Sequence, residues 1–307
     1  MNKAIFFTIV VCLAACGPRP AAINEGITTE INPVDKGVLK GFSSPESVLG
    51  IDTFVFVSNV GPELKPRDKD GDGFISKLNN KGNVVNLRFI EGLHAPKGMA
   101  VWDSVLYVAD IDVIRAFHWK TGDSLDLFDL KAFGVRFLND LCQGDSGMLF
   151  VSETFQDTIY SIDVKRRDKE NNIRAVSIPK DAAVQSVNGL WYDAPNRDLY
   201  LCGFGQGDST NGAIGVIPMG ARAVPPRNWV SHTGKLDGLV LIGRKLYVTD
   251  WAGFETSSPL WEVDLSTYKA KAVFTKQIGG PADFWYDEKN KRFWIPAMTE
   301  GRVYVHE

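Results

Sequence analysis

Six copies of one short pattern run through the chain, and no other feature limits its folding as much. Each copy opens on an apolar residue or proline, then a residue that is usually polar, a small or acidic residue and another apolar one. After a turn comes an alternating strand. The copies begin at Pro45-Glu46-Ser47-Val48, Pro96-Lys97-Gly98-Met99, Leu138-Asn139-Asp140-Leu141, Val187-Asn188-Gly189-Leu190, Leu236-Asp237-Gly238-Leu239 and Pro281-Ala282-Asp283-Phe284. Their second positions, 46, 97, 139, 188, 237 and 282, are separated by 51, 42, 49, 49 and 45 residues. A period in the forties with several short strands per unit predicts an all-β, six-bladed β-propeller with four-stranded blades. The repeat therefore makes residues 37–307 one domain, although 307 residues would accommodate two average ones.

Within each copy apolar residues alternate and Gly, Asn, Asp and Pro mark the turns, which is the period of strands; no segment carries a long amphipathic helix. In the fifth blade the strands are predicted at 239–242, 245–250, 260–264 and 271–276. The last copy supplies three, at 283–286, 291–295 and 302–306. Residues 37–42 are the natural source of its outer strand, closing the ring and covering an edge that would otherwise be unpaired.

The first 16 residues read as an export signal. Lys3 gives a basic start, residues 4–13 are apolar, and Leu13-Ala14-Ala15-Cys16 places small residues before a cysteine. The apolar run is shorter than the roughly 18 residues a bilayer-spanning helix needs. The pattern resembles a bacterial lipobox, which implies a diacyl anchor on Cys16 and an exported lipoprotein of the cell envelope; Gly17 after the cysteine implies the outer membrane. Residues 17–36, with Pro, Ala and Asn, read as a tether, so membrane contact is expected through the lipid alone. A net charge of -3 with both signs interspersed argues against a nucleic-acid partner, whose phosphates need a basic face. Cys142 and Cys202 sit within repeat strands and read as buried, unpaired thiols.

In a propeller the first strand of each blade lines the axial channel, so the second letters of the six copies form a ring. That ring is Glu46, Lys97, Asn139, Asn188, Asp237 and Ala282. Four of the six offer hard oxygen donors suited to calcium, magnesium or manganese. The same residues would equally line a channel that holds only water.

Ser44-Pro45-Glu46, Leu138-Asn139-Asp140, Val187-Asn188-Gly189-Leu190 and Leu236-Asp237-Gly238-Leu239 resemble the Glu, Asn, Asn-Gly and Asp-Gly motifs of the senescence marker protein/gluconolactonase/luciferin-regenerating enzyme family of six-bladed propellers. The resemblance covers roughly residues 38–307. It implies a divalent cation, usually calcium, held by Glu46, Asn188 and Asp237 with Asn139 ancillary. It further implies hydrolysis of a lactone or similar ester, with Asp237 or Glu46 taking a proton from water. Two positions depart from the family. Lys97 puts a cation into the ring, where it weakens metal affinity or stabilises a developing oxyanion. Arg136 lies three residues before Asn139, where lactonases of the family place a substrate-contacting arginine two before.

The end of each second strand returns beside the start of the first, which brings Asn59, Asp110, Glu153 and Asp250 to one rim, as contacts for substrate hydroxyls or as solvated turn residues. Other signals read as scaffold. Asp68-Lys69-Asp70-Gly71-Asp72-Gly73 resembles half of an EF-hand loop, but Asn79 stands where a bidentate glutamate is required. Gly144-Asp145-Ser146-Gly147 imitates a nucleophile motif within a hairpin turn, and Gly203-Phe204-Gly205-Gln206-Gly207 lacks the following helix of a phosphate cradle. His94 and His232 precede blade starts and are the histidines nearest the channel mouth. The sequence thus favours a gluconolactonase-like metal-dependent hydrolase; the alternative is a non-catalytic NHL-like propeller that binds a protein partner or small ligand.

Overall fold

A computed structural model describes residues 37–166, 172–176, 178, 184–207, 210–220, 234–252, 259–274 and 276–307. The predicted export signal with Cys16, the predicted tether and His232 lie outside the described residues. Six antiparallel sheets follow one another along the chain, each a meander in which the first strand of the copy is innermost. Five have four strands; the fourth blade has three among the described residues, Val187–Asp193, Asp198–Gly203 and Ile214–Pro218. The protein is an all-β, six-bladed propeller, as the repeat predicts.

The ring closes through the start of the domain. Val38–Lys40 pairs with Arg302–His306, Val38 opposite Tyr304 and Lys40 opposite Arg302, and forms the outer strand of the last sheet. One blade therefore holds both ends of the propeller, and its C-terminal strand edge is covered by backbone hydrogen bonds.

Each strand in the middle of a blade is apolar on both faces, because each face meets a different neighbour. Successive side chains of a strand point to opposite sides. Leu106 and Val108 pack toward the first blade with Phe56 and Ile75, whereas Tyr107 and Ala109 pack toward the third with Leu149 and Val151. Phe150, between those last two, joins Leu199 and Leu201 of the fourth blade. Tyr200 and Cys202 in turn join Leu246 and Val248 of the fifth. Phe293 and Ile295 continue the series with Val240 and Leu260, and Trp294 closes it on Val55 and Val57. Six inter-blade cores result. At roughly 1.5–3 kcal/mol for each fully buried large aliphatic or aromatic side chain, they outweigh any single feature of the channel. Cys142 and Cys202 are buried free thiols in these cores, in line with the sequence reading.

The channel surface depends on an irregularity. In the first five blades the innermost strand shifts register against the second strand between the first and fourth letters of the motif: Pro45/Val48, Pro96/Met99, Leu138/Leu141, Val187/Leu190 and Leu236/Leu239. Three steps on one strand face two on the other, which is a β-bulge, a device that re-aims side chains. In three of these blades a hydroxyl on the second strand accepts a bulge amide at 2.9 Å: Ser58 from Ser47, Ser152 from Asp140 and Thr249 from Gly238. Glycine at the third motif letter answers crowding between neighbouring inner strands. A Cβ on Gly98 would meet the Asp140 Cα at 2.5 Å, and one on Gly238 would meet the Asp283 Cα at 2.6 Å.

Candidate functional site

The bulges bring Glu46, Lys97, Asn139, Asn188 and Asp237 to the floor of a single cavity of about 300 Å³. All five are buried. The sixth ring position, Ala282, is fully buried in an apolar group with Val60, Ala95, Ile111 and Met298, so that sector of the channel top is closed by hydrocarbon. Walls around the rest of the floor come from Leu64 and Pro66 of the first-blade insertion, the long loop at 60–72 between Phe54–Asn59 and Gly73–Asn79, from Phe137, Thr154 and Phe155 of the third blade, and from Phe204 and Trp251.

Hydrogen bonds fix how each floor residue faces the cavity. The Trp251 indole N–H donates to Asp237 Oδ2 at 2.8 Å, and Asn188 also hydrogen-bonds this carboxylate. The Asn139 amide nitrogen donates to Thr154 Oγ1 at 3.2 Å, and that hydroxyl donates onward to the Val187 carbonyl at 2.9 Å. Asn139 is thereby oriented with its amide oxygen away from Thr154. Three buried oxygens on this floor, Glu46 Oε2, Asn139 Oδ1 and Asp237 Oδ1, have no hydrogen-bond partner. Buried polar atoms are rarely left so, and orphaned anionic oxygens carry a large desolvation cost.

The electrostatics have the same origin. Burial, then the neighbouring Asp283, push Asp237 up to about 8 against the hydrogen bonds of Trp251 and Asn188. Burial first and Asp237 second hold Glu46 well above the usual carboxylate range, with Lys97 opposing them. Burial lowers Lys97 to about 8, while Glu46 and Asp110 pull the other way. The Lys97 ammonium is anchored by the carbonyls of Pro66 and Ala95, both at 3.0 Å, and lies 4.5 Å from the centre of the Phe137 ring. It ties the first-blade insertion to the channel floor.

The rim residues sit beside the blade starts, as hairpin return predicts, but bind backbone there. Asp110, Glu153 and Asp250 are buried and do not line the cavity. Asp110 accepts the backbone amides of His94 and Ala95, Glu153 those of Arg136, Phe137 and Gln156, and Asp250 those of Lys235 and Ala252. Asn59 accepts Ser43 N–H in the equivalent position. These side chains clamp the segment that enters each innermost strand. The proximity inferred from hairpin return is present, but the loop amides reach the carboxylates before any ligand can. Arg136 is exposed and outside the cavity lining; the next residue, Phe137, takes the wall. His94 is also absent from the lining.

Sequence reasoning missed Thr154, Phe155, Phe204 and Trp251, each just beyond the end of a second strand. The signal was available: these are the residues that follow the clamp position, and three of the four are aromatic. It also missed the buried Asp140 and the half-buried Asp283, each one residue beyond the ring. Asp140 accepts the amides of Leu141 and Leu190, both at 2.6 Å, and burial with the nearby Asp283 raises its pKa.

With the geometry established, comparison with known proteins places the architecture. No protein-family model matches the chain, and no curated protein matches it by sequence. A solved structure described as a streptogramin B lyase superposes with a TM-score of 0.58 over 88% of this chain and 97% of that chain, at 11% identity. The two share a propeller fold. At that identity the likeness is one of architecture, and function rests on the site itself.

Proposed function

We propose that the protein is a hydrolase of lactones or similar esters that works with a divalent cation, calcium being the best suited and magnesium or manganese alternatives. The observation that carries this reading is the convergence of three partnerless buried oxygens, on Glu46, Asn139 and Asp237, at the floor of one cavity. Among the described residues no three His, Cys, Asp or Glu side chains group as a metal site. Two of the four oxygen donors here are asparagine amides, a donor type calcium accepts readily. The donor set therefore fits a hard cation, with Glu46, Asn139, Asn188 and Asp237 as its holders.

When bound there, such a cation polarises the substrate carbonyl and stabilises the charge that develops on its oxygen. The remaining chemistry belongs to the chain. Asp237, held by Trp251 and Asn188, takes a proton from the attacking water as the water oxygen bonds to the carbonyl carbon. The acyl carbon–oxygen bond then breaks, and the proton passes to the departing alkoxide oxygen. Lys97 brings a fixed positive charge to the same floor. The aromatic walls exclude competing solvent and strengthen these interactions.

The test combines metal analysis of the purified protein, with and without Asp237→Ala, and proton release on a panel of lactones and esters. Stoichiometric metal lost in the variant, together with products that gain the mass of one water, is the expected result. The fold is shared with a lyase, and a product of unchanged mass would replace hydrolysis by elimination. A protein that holds no metal and turns over nothing would instead be a ligand-binding propeller, with Lys97 filling the cation position.

A further inference from the structure

The geometry points to an apolar ligand, a lactone or ester carrying an aryl or alkyl group, rather than a polyhydroxylated sugar lactone. The inference deepens the proposed hydrolase, on which the identity of the reacting carbonyl rests, but the apolar recognition stands on separate residues. The described walls above the polar floor consist of Leu64, Pro66, Phe137, Phe155, Phe204, Trp251 and Met298, with Thr154 and Ser186 the polar exceptions.

The Ser186 hydroxyl is a single polar group, and Thr154 offers little to a sugar. Thr154 Oγ1 already donates to the Val187 carbonyl and receives Asn139. Asp110, Glu153 and Asp250, the carboxylates best placed by sequence to receive hydroxyls, are committed to backbone amides. Above the polar floor, a polyol would face hydrocarbon with most of its hydroxyls among the described residues, and each hydroxyl stripped of water without a partner opposes binding.

The aromatic side chains are arranged as a receptor for a ring or chain. Phe137 and Phe155 stack with centroids 4.8 Å apart. Phe204 and Trp251 meet edge to face at 5.7 Å. Phe155 and Leu64 remain 49% and 42% exposed, so apolar surface continues from the walls to the mouth, where an isolated protein has nothing to gain from it. The volume of about 300 Å³ is roughly twice that of an apolar cavity known to take up benzene. It leaves room for a ring-sized group plus the reacting carbonyl.

Calorimetry with non-hydrolysable lactams separates ligand recognition from turnover. The probes are 5-phenylpyrrolidin-2-one and gluconolactam, on the metal-loaded protein, beside turnover of the matching lactones. The expected result is a dissociation constant for the phenyl lactam at least tenfold lower than for gluconolactam. Phe155→Ala, at an exposed position that leaves folding intact, should raise the phenyl value at least fivefold and leave gluconolactam unchanged; Leu64→Ser should act in the same direction. Binding of the phenyl lactam without turnover of any lactone supports the apolar site and removes the hydrolase. Equal or tighter binding of gluconolactam, no binding of either probe, or indifference of the phenyl lactam to both variants overturns the inference.

Discussion

Ser47 Oγ donates to Asp283 Oδ2 at 2.5 Å, joining the first blade to the last across 236 residues of sequence. The two residues are also a parallel bridge pair, so this bond lies where the ring closes on its axial side. Burial pushes Asp283 up to about 7, against the Ser47 hydrogen bond. A carboxyl whose pKa is raised by folding binds more protons folded than unfolded between about pH 4 and 7, so its contribution to stability is complete below about pH 4 and is lost as pH rises through 7. Metal-free protein should lose stability over that interval. Asp283→Asn keeps an acceptor for Ser47 and should reduce the dependence without abolishing it, because Asp237, Glu46 and Asp140 are raised by burial too. A gain on the order of 1–3 kcal/mol at pH 8 is expected, read from urea melts in chelator at several pH values.

Closure through Val38–Lys40 predicts that a minor-looking residue matters. Leu39 is buried among Val48, Val55, Trp294 and Val303, which belong to both blades at the seam. Leu39→Ala should cost about 2–4 kcal/mol. Deleting residues 37–42 should lower the melting temperature more. Equal melting of wild type and deletion would show that the outer strand is dispensable.

Glu153 is a scaffold residue, and its removal should read as instability. Glu153→Ala leaves the amides of Arg136, Phe137 and Gln156 without their acceptor, a loss on the order of 3 kcal/mol. Glu153→Gln retains oxygen acceptance and should recover part of it. A variant of normal stability with altered substrate affinity would return Glu153 to the substrate.

Cation binding should appear in melting curves before any substrate is known. At a calcium concentration one hundred times the dissociation constant, the folded state gains about 2.7 kcal/mol. That gain should vanish in Asp237→Ala and persist in Glu262→Gln, a remote substitution at the partner of Tyr247, Lys245 and Lys271. Stabilisation of equal size in Asp237→Ala would separate the cation from the channel floor.

The architecture was legible because it is written locally and six times over. Leu106, Tyr107 and Val108 read as a strand wherever they occur, and the spacing of such strands dictates blades. The five polar letters of the ring were legible for the same reason, since equivalent positions in equivalent blades must share one environment. The roles of Asp110, Glu153 and Asp250 were not. Their proximity to the channel follows from hairpin return, but the direction in which a carboxylate is satisfied depends on which loop amides lie nearest, and those loops are the least repetitive part of each copy.

The amino-acid sequence by itself determined the all-β propeller, the number of blades, the strand that closes it and the identity of the channel ring. Only the tertiary structure decided that the bulges aim Glu46, Asn139 and Asp237 into one cavity, that Lys97 is drawn onto Pro66 and Phe137, and that Phe155, Phe204 and Trp251 line its walls. The physical reason is one of range. Period-two apolar alternation is a property of a single strand, whereas a cavity is formed by side chains that meet across blades, and no spacing within one copy encodes that meeting.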